Sequence, residues 1–498
     1  MEKTHIVLDP AYKIAEVDPR IFGGFLEHMG RAVYEGVFDP KSFHSDENGF
    51  RKDVLDALRR LRLTAVRYPG GNFASGYHWM DGIGPKNQRP TVRELAWQSI
   101  ELNQFGTDEY IKMARKMDWT PMMTINLGTG TPEEARNWVE YCNSPVGTRF
   151  ADLRAKNGSE TPYGVKLWCL GNELDGPWQL GHMPADQYAV LAQQAAKLMK
   201  DTDPNIETIA CGSCSRNLST YMDWDRIVLE YISTYADYVS LHRYAGNRKG
   251  NTADYLAVTN SIDQQIEEID AVCRYVQGRS RSTKRHYLCF DEWNVWYRTQ
   301  NPEHTNGRGK FAPHLIEEQY NLEDALVVAG FLNCFIRHAD IVKIANIAQI
   351  VNVIAPILTR GDDVLLQSIF YPFAIYSSRR DGTALLPSIK GPAYDSPSYG
   401  RVNTIDTSAI LGDGVLNTFL VNRNIRAAAE IEIDLGRGKL VSVMSAEVVS
   451  GPGPDVCNTF ENPNAICSQP LQTVKISEGK ASVQLSPLSV AAITFRIS

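Results

Sequence analysis

The sequence predicts a (β/α)8 TIM barrel that is followed by an antiparallel, jelly-roll-like β-sandwich. Its 498 residues are too many for one small core, because single hydrophobic cores stop growing at about 250–300 residues. Short β-prone runs alternate with helical stretches from about residue 20 to residue 375, and only alternating strands remain after about residue 380. We therefore expect a barrel over residues 18–378 and an accessory sandwich formed by residues 1–17 together with residues 379–498.

Eight β-prone runs supply the predicted barrel strands. They lie at Ile21–Leu26, Ala65–Tyr68, Pro121–Asn126, Val165–Leu170, Thr208–Cys211, Tyr238–His242, His286–Phe290 and Ile341–Ala348. Between them lie helical patterns, of which Thr131-Pro132-Glu133-Glu134 has the cap residue, the proline and the acidic residues typical of a helix N-terminus. In another, one helical face carries Val54, Leu55, Leu58 and Leu61. Eight strand–helix units over this length favour a (β/α)8 barrel.

The predicted sandwich consists of alternating strands separated by turns such as Leu411-Gly412-Asp413-Gly414. Its strands are predicted at Val402–Leu411, Val415–Val421, Ala428–Leu435, Leu440–Val449, Leu471–Ile476, Ala481–Leu485 and Val490–Ile497. One more strand, Thr4–Leu8, precedes the barrel, and we expect it to pair with the sandwich.

The composition argues against nucleic-acid and membrane partners. The net charge of -7 is mild, and no lysine- or arginine-rich block suggests binding to a polyanion. The most apolar helix candidate, Ala325–Ile336, contains Asn333 and is too short to span a bilayer. The N-terminal residues lack the apolar segment of a signal peptide. We therefore expect a soluble, cytoplasmic protein, unless a signal peptide has been removed.

The cysteines and histidines suggest neither a disulfide framework nor a metal site. The nine cysteines are an odd number, and several lie in apolar runs, namely Cys169, Cys289 and Cys334. Buried free thiols in a reducing compartment explain this pattern. Cys211 and Cys214 have the spacing of a redox motif, but no second pair accompanies them. The histidines form no compact ligand pair and no phosphate loop is present, so we expect no metal and no cofactor.

Two glutamates carry the functional prediction. Glu173 and Glu292 each follow a short β-prone run, the fourth and the seventh of the predicted barrel. Catalytic groups of TIM barrels lie at the C-terminal ends of the strands, and strands four and seven face each other across the barrel mouth. Two carboxylates that face one pocket are the minimum needed to cleave a glycosidic bond. The sequence therefore predicts a glycoside hydrolase.

Five segments occur in order through the predicted barrel and carry a family resemblance. They are Phe22–His28, Arg67–Phe73, Leu170–Trp178, His242–Tyr244 and Phe290–Asn294. With these segments, and with the trailing sandwich, nearly the whole chain resembles the α-L-arabinofuranosidases of glycoside hydrolase family 51. The resemblance implies a retaining mechanism in which Glu173 is the general acid/base and Glu292 is the nucleophile.

The surroundings of Glu292 can also be predicted. A nucleophilic carboxylate must stay ionised, which requires hydrogen-bond donors around it. Among the residues of the motifs, Tyr244 and Arg67 are the donors that we expect next to Glu292.

A furanose pocket needs fixed polar groups for the hydroxyls and aromatic walls for the sugar C–H faces. The resemblance assigns the hydroxyls to Glu27, Asn72, Asn172 and Gln349, with Asn172 near the 2-hydroxyl, and it assigns the walls to Trp97 and Trp296. From the residues alone, three of these have alternatives. Glu27 could brace a neighbouring loop, Asn72 could occupy a left-handed turn position, and Gln349 could be a satisfied core amide.

The resemblance implies an exo-acting α-L-arabinofuranosidase that releases terminal arabinofuranose from oligosaccharides of arabinoxylan or arabinan. It also implies a homo-oligomer, a trimer or a hexamer. The alternatives are a retaining endo-β-glucanase or β-xylosidase on the same barrel, and a non-catalytic carbohydrate-binding protein. Loss of one carboxylate would be typical of the binding protein, but both glutamates are present.

Overall fold

The computed structural model describes residues 3–498. Eight parallel strands form a closed barrel in which the last strand pairs with the first. In chain order they are β1 (Gly23–Phe25), β2 (Ala65–Tyr68), β3 (Thr120–Thr124), β4 (Leu167–Leu170), β5 (Glu207–Ala210), β6 (Tyr238–Ala245), β7 (Tyr287–Val295) and β8 (Val342–Ala348). Each strand overlaps one of the predicted runs, so the predicted TIM barrel is confirmed.

One main helix follows each barrel strand. These helices are α1 (Lys52–Leu61), α2 (Thr107–Met117), α3 (Pro132–Asn143), α4 (Ala185–Thr202), α5 (Asp223–Ile232), α6 (Thr259–Arg279), α7 (Leu322–Arg337) and α8 (Phe370–Ser377). Shorter helices lie at Arg149–Lys156, Thr252–Leu256 and Pro302–Thr305, and two-stranded ribbons join Val92–Arg93 to Ile100–Glu101 and Ile357–Arg360 to Asp363–Leu366. Among residues 3–498, no helix has both the length and the apolar character needed to cross a bilayer.

The sequence signals explain where these helices form. At the start of α3, the Thr131 hydroxyl accepts a hydrogen bond from the Glu134 backbone N–H at 3.1 Å, as a cap residue does. On α1, the predicted apolar face is buried, and it comprises Val54, Leu55, Leu58 and Leu61. The helices therefore pack against the barrel through faces that the sequence already marks.

The interior of the barrel is filled by side chains rather than open. One cluster contributed by six of the strands occupies it, with Met122, Leu167, Cys169, Ile209, Tyr238, Cys289 and Ile344. The outer face packs against the helices through large aromatic residues such as Trp168 and Trp293, which are both fully buried. This packing leaves the C-terminal ends of the strands as the place for a pocket.

The seventh barrel strand corrects one detail of the prediction. Glu292 does not follow β7 but lies inside it, because the strand continues to Val295. In the pairing with β6, Ser240 lies opposite Cys289 and His242 lies opposite Glu292, so β7 carries one extra residue at this point. Such a β-bulge changes the alternation of side chains. As a result, the consecutive residues Asp291 and Glu292 both reach the centre of the barrel.

The C-terminal region is an antiparallel β-sandwich of two sheets, as predicted. One sheet contains Ser388–Lys390, Thr4–Val7, Ala429–Asp434, Lys480–Leu485 and Val474–Ser477 in that order. The other contains Lys13–Glu16, Thr383–Leu385, Ile405–Leu411, Val415–Asn422, Ser489–Ile497, Leu440–Val449 and Ser468–Pro470. Apolar side chains of both sheets form a common core, with Ile433 and Val483 from the first and Leu420 and Phe495 from the second.

The N-terminal residues join this sandwich. Thr4–Val7 pairs in parallel with Ala429–Asp434 and antiparallel with Ser388–Lys390, and Lys13–Glu16 pairs with Thr383–Leu385 in the other sheet. The expected pairing of the first strand is therefore present. Residues 1 and 2 of the predicted accessory segment lie outside the described residues, and the division at residues 17/18 and 378/379 stays a prediction.

Two predicted sandwich strands are wrong in their extent. The run Val402–Leu411 is divided into Gly400–Asn403, which forms a separate hairpin with Ala393–Ser396, and Ile405–Leu411. The run Leu471–Ile476 retains strand structure only from Val474 onward. In both cases the β-prone pattern continues across the break, and pairing with distant partners decides where a strand ends.

Candidate active site

A cavity of about 420 Å³ opens where the barrel strands end. The predicted site residues in its wall are Glu27, Asn72, Trp97, Glu173, Tyr244, Glu292, Trp296 and Gln349. The other two predicted residues, Arg67 and Asn172, lie behind this wall in contact with each other. A larger cleft of about 600 Å³ borders α2, but it contains neither catalytic glutamate, and its Glu109 is already paired with Arg89.

Glu292 is held by the two predicted donors. From β2, the fully buried Arg67 donates to Glu292 Oε1 at 2.6 Å, and from β6 the Tyr244 hydroxyl donates to Oε2 at 2.9 Å. Burial raises the pKa of the Glu292 carboxyl above its ordinary value, whereas His242 and Arg67 act to lower it. His242 and Arg67 therefore offset part of the effect of burial on the ionised form of Glu292.

His242 connects Glu173 and Glu292, the predicted catalytic pair. Its Nδ1 lies 2.7 Å from Glu173 Oε1 and 3.4 Å from Glu292 Oε2, and its Nε2 lies 3.4 Å from Asp291 Oδ1. Burial would lower the pKa of this imidazole, but Glu292 and Asp291 raise it well above its ordinary value. The raised pKa favours the imidazolium form of His242, in which both ring nitrogens donate.

Asp291 balances the buried cations. Arg67 Nε lies 3.2 Å from Asp291 Oδ2, and the Ser240 hydroxyl donates to Oδ1. Although burial alone would raise the pKa of Asp291, Arg67 and His242 lower it below its ordinary value. The centre of the site is thus a buried array of alternating charges.

Glu173 lies in the loop that follows β4 and adopts a left-handed backbone conformation with a φ of 45°. Such a conformation is uncommon for residues other than glycine and often marks a functional position. Both oxygens of its carboxyl group are in contact with nitrogen atoms. His242 Nδ1 approaches Oε1 at 2.7 Å, and the Trp178 indole N–H donates to Oε2 at 2.6 Å.

Glu173, His242 and Glu292 are close enough to share one ligand. One ligand atom from each lies within 4.8 Å of the other two, a spacing that could also hold a metal ion. An imidazolium, however, has no lone pair for a metal. In this protonation state, hydrogen bonding between the three groups accounts for the cluster, and the expectation that no metal or cofactor is needed stays a prediction.

Glu27 is the third acidic residue of the cavity, and it is held by three donors. Its Oε1 accepts from the Phe73 backbone N–H at 2.9 Å and from the Trp97 indole at 3.2 Å, and its Oε2 accepts from the Gln349 amide at 3.2 Å. Burial raises the pKa of Glu27 to about 8, because it outweighs these donors. Gln349 is a buried amide whose two ends are both bonded to Glu27, and it also lies in the wall of the cavity, so its role in binding a hydroxyl stays a prediction.

Two asparagines and a tryptophan complete the predicted set. Asn172 accepts from Arg67 at 2.7 Å and donates to Asn72 Oδ1 at 3.3 Å. The Trp296 ring packs edge-on against Tyr244, with ring centroids 5.5 Å apart, and its buried indole N–H has no protein partner. A hydroxyl of a bound sugar could accept this hydrogen bond.

The loop after β2 requires glycine because it passes close to two carboxylates. A Cβ atom at Gly70 would lie 2.7 Å from Glu27 Cγ, and one at Gly71 would lie 2.6 Å from Glu292 Oε1. Neither distance is compatible with a side chain in the present arrangement. These glycines therefore allow the loop to close one side of the site.

Three residues of the site are absent from the predicted set. His242 and Trp178 contact the predicted catalytic glutamates, and Asp291 contacts His242 and Arg67. All three belong to the motifs that carry the family resemblance. Alternation along β6 is a signal that could find His242, because it puts Ser240, His242 and Tyr244 on the face that contacts Asp291 and the two glutamates. Asp291 requires knowledge of the bulge in β7.

Comparisons with known proteins agree with this geometry. The sequence-family model of the α-L-arabinofuranosidase 1 domain matches residues 57–264, and that of the α-L-arabinofuranosidase C-terminal domain matches residues 291–489. The intracellular exo-α-(1→5)-L-arabinofuranosidase 1 of Bacillus subtilis is 43% identical over 493 residues, which are 98% of this chain and 98% of that protein. An exo-α-(1→6)-L-arabinofuranosidase of Bifidobacterium longum is 39% identical over 509 residues, with 99% and 97% covered.

A solved structure covers the whole fold. The family 51 α-L-arabinofuranosidase of Bifidobacterium longum superimposes with a TM-score of 0.95 at 36% sequence identity, and the match covers 100% of both chains. The barrel, the sandwich and the sequence therefore all match those of known α-L-arabinofuranosidases over the length of the described chain. This chain belongs to the α-L-arabinofuranosidases of glycoside hydrolase family 51, and it is a glycoside hydrolase.

Proposed function

We propose that this protein is an exo-acting, retaining α-L-arabinofuranosidase that releases terminal arabinofuranose from oligosaccharides of arabinan or arabinoxylan. The observation that carries the proposal is the approach of Glu173 and Glu292 at one cavity, with an oxygen of each within 4.8 Å. A short separation supports double displacement, because inverting enzymes keep their carboxyl groups about 6.5–9.5 Å apart to admit a water molecule.

In the first step, an oxygen of Glu292 attacks the anomeric carbon. The bond to the leaving oxygen breaks, and Glu173 transfers its proton to that oxygen. Arg67 and Tyr244 orient the attacking carboxylate from two sides. When the ester forms, Glu292 loses its charge, and His242 and Arg67 then face Asp291 and Glu173 as the remaining acidic partners.

In the second step, water attacks the anomeric carbon of the glycosyl ester. Glu173, now a carboxylate, accepts a proton from that water, and the bond to Glu292 breaks. The sugar leaves with its original anomeric configuration, Glu292 is again a carboxylate, and Glu173 again carries the acid proton. No other group needs to gain or lose a proton in this cycle.

The polar wall of the cavity supports recognition of one sugar with several hydroxyls. Glu27, Asn72, Asn172 and Gln349 are the proposed hydroxyl ligands, with Trp97 and Trp296 as the aromatic walls. At about 8, the pKa of Glu27 leaves its carboxyl group protonated at neutral pH, so it can donate as well as accept. Mixed donor and acceptor capacity is what a sugar hydroxyl requires.

The names of the relatives support the finer assignments. Those of Bacillus subtilis and Bifidobacterium longum are both exo-enzymes, one for α-(1→5) and one for α-(1→6) linkages, and the former is intracellular. We propose exo action and a cytoplasmic location for this chain, and a trimeric or hexameric assembly that light scattering can measure. Hydrolysis of α-(1→5)- and α-(1→6)-linked arabinobiose, followed side by side, determines the linkage.

A panel of p-nitrophenyl glycosides tests the proposed activity. We expect the wild type to cleave the α-L-arabinofuranoside far faster than the β-xyloside, β-glucoside or α-arabinopyranoside. Glu173→Ala and Glu292→Ala should each lower kcat by several orders of magnitude, because each removes one partner of the double displacement. Preference for the β-glucoside or β-xyloside would overturn the sugar assignment in favour of an endo-β-glucanase or β-xylosidase.

Azide rescue assigns the two roles. With azide, Glu173→Ala should give the α-arabinofuranosyl azide, because azide replaces water in attack on the β-linked ester. Glu292→Ala should give the β-arabinofuranosyl azide, because azide replaces the missing nucleophile and attacks the α-glycoside only once, with inversion. The opposite pairing of products would exchange the proposed roles, and no cleavage of any glycoside by active, folded protein would favour a carbohydrate-binding protein.

A further inference from the structure

The carboxyl group of Glu173 has no free oxygen in this structure. His242 occupies Oε1 from inside the barrel, and Trp178 occupies Oε2 from the rim of the cavity. A general acid must present one O–H to the leaving oxygen. Each oxygen keeps a second lone pair, but the leaving oxygen needs room beside one of them, so the donor that lies in its path must move aside.

The two contacts differ in how easily they can open. His242 is 2% exposed and lies among Glu173, Asp291 and Glu292, so its displacement would break three polar contacts. The Trp178 ring is 54% exposed, and its indole N–H donates to Glu173 alone. Glu173 Oε2 is therefore the oxygen that becomes free.

The chain is shaped to hold the indole in this place. A Cβ atom at Gly176 would lie 2.7 Å from Trp178 Cε2 and 3.0 Å from its Nε1, so only glycine lets the ring lie against the turn after Glu173. The same turn is fixed by a hydrogen bond from the Gly176 N–H to the Glu173 carbonyl oxygen at 2.7 Å. The contact is thus part of the local fold and not a chance approach of a surface side chain.

We propose that Trp178 is a positioning residue for the acid/base, a displaceable donor that occupies Glu173 Oε2 until the leaving group of the substrate takes its place. The proposal rests on the acid/base role of Glu173 proposed above. In the free enzyme, the indole N–H contacts Oε2 and fixes the orientation of the carboxyl group, which carries the acid proton. When the aglycone enters, the indole moves off, Oε2 carries the proton, and that proton passes to the leaving oxygen as the C–O bond breaks.

The same donor serves the second half of the cycle. After the aglycone departs, Glu173 is a carboxylate, and the indole N–H can return to it or yield to the attacking water. The water gives one proton to Oε2 while its oxygen bonds to the anomeric carbon, which balances the proton lost in the first step. Trp178 itself exchanges no proton at any stage.

Two variants test this proposal through the pH dependence of kcat/KM. Trp178→Phe keeps the ring but removes the N–H, and Gly176→Ala keeps the indole but pushes it away from Glu173. Because each removes a hydrogen-bond donor from the acid, the basic limb of kcat/KM should move to higher pH in both. The control is Tyr275→Phe, which removes one polar atom from a side chain that is 53% exposed on α6 and should match the wild type.

The leaving group supplies a second readout. Alkyl arabinofuranosides need protonation of the leaving oxygen, whereas a dinitrophenyl group does not. At pH values above the basic limb of the wild type, we therefore expect each variant to retain a larger fraction of its maximal kcat/KM for the alkyl substrate than the wild type does. An unmoved basic limb with equal losses for every leaving group would overturn the proposal, since a merely structural role predicts that result.

Glu173→Ala separates this failure from failure of the proposed function. If kcat/KM of that variant falls strongly with alkyl arabinofuranosides but much less with dinitrophenyl arabinofuranosides, Glu173 is the acid. An unmoved basic limb in Trp178→Phe then overturns only the role of Trp178. If kcat/KM of Glu173→Ala falls equally with both substrates, the acid/base assignment itself is wrong.

Discussion

Buried carboxyl groups line the cavity, and their nearest partners decide which of them holds a proton. Glu27 and Asp291 are both almost fully buried, yet the pKa of Glu27 is raised to about 8 while that of Asp291 is lowered. Neutral N–H groups surround Glu27, whereas Arg67 and His242 flank Asp291. At Asp291 the two cationic partners outweigh the effect of burial, whereas at Glu27 the neutral donors do not.

This difference predicts the pH dependence of stability. Glu27 binds its proton more tightly in the folded than in the unfolded chain, so its contribution is fully present below the ordinary glutamate pKa of about 4.3 and declines as pH rises towards 8. The decline is at most about 1.4 kcal/mol per pH unit. Relative to the wild type, Glu27→Gln should gain in thermal midpoint between pH 5 and pH 8.

The control for this experiment is Glu267→Gln, which changes an exposed glutamate on α6. Its thermal midpoint should follow that of the wild type across the same pH range. A constant difference between Glu27→Gln and the wild type at all pH values would contradict the raised pKa of Glu27.

The site residues could be predicted from the sequence where a motif coincides with the end of a predicted strand, as for Glu173 and Glu292. The contact of Trp178 with Glu173 could not, because it depends on a tight turn through Gly176 that brings two loop residues together. Nor does the sequence indicate the protonation of His242, since three acidic neighbours from different strands and loops determine it.

Two elements shape the site without supplying its chemistry, namely the bulge in β7 and the glycine loop after β2. The bulge turns Asp291 and Glu292 towards the same centre, and the loop comes within van der Waals distance of Glu292 at Gly71. Their effects are complementary, since the bulge places Glu292, the proposed nucleophile, and the loop limits where its carboxylate can move. Precise placement matters because a displacement of about 1 Å can lower the rate about 100-fold.

Gly71→Ala tests the role of the loop. The added methyl group would lie 2.6 Å from Glu292 Oε1, so the carboxylate must leave its bond with Arg67. We expect kcat/KM for the arabinofuranoside to fall by about 100-fold, with a smaller change in the thermal midpoint. In Gly278→Ala, the control, a Cβ atom meets nothing within 4 Å, and activity should remain unchanged. Wild-type kcat in Gly71→Ala would show that the loop does not confine Glu292.

The barrel strands were predictable because each joins a β-prone run to a helical pattern. The extension of β7 was not, since Asp291-Glu292-Trp293-Asn294 is polar enough to suggest a loop, and only burial within the barrel makes it a strand. The very short sandwich strands, such as Ser388–Lys390 and Thr383–Leu385, carry too few residues for an alternating pattern.

Barrel and sandwich are joined by buried ionic contacts around Asp406 of the sandwich. From α7, Arg337 donates to Asp406 Oδ1 at 2.9 Å and Asn333 donates to Oδ2 at 2.9 Å, while Arg423 approaches Oδ1 at 2.8 Å. Because α7 directly follows the strand that carries Glu292, the sandwich supports one wall of the catalytic barrel. The contact is therefore structural for the enzyme as a whole.

Asp406→Ala should destabilise the whole molecule. It leaves Arg423 without its carboxylate and Arg337 with Asp263 alone, and removing one partner of a buried pair typically lowers stability by about 3–5 kcal/mol. Asp395→Ala breaks the exposed pair with Arg401 and should change stability by less than about 1 kcal/mol. Urea unfolding measures both, and equal midpoints for the two variants would contradict a supporting role of the sandwich.

The pairing of the N-terminal strand has a consequence for synthesis on the ribosome. Thr4–Val7 finds its partners only in Ser388–Lys390 and Ala429–Asp434, and β1 likewise closes the barrel only against β8. Nearly the whole chain must leave the exit tunnel before its first residues have anything to pair with. Until then the emerging N-terminus is an unpaired β-prone segment, which is the kind of sequence that chaperones of the nascent chain bind.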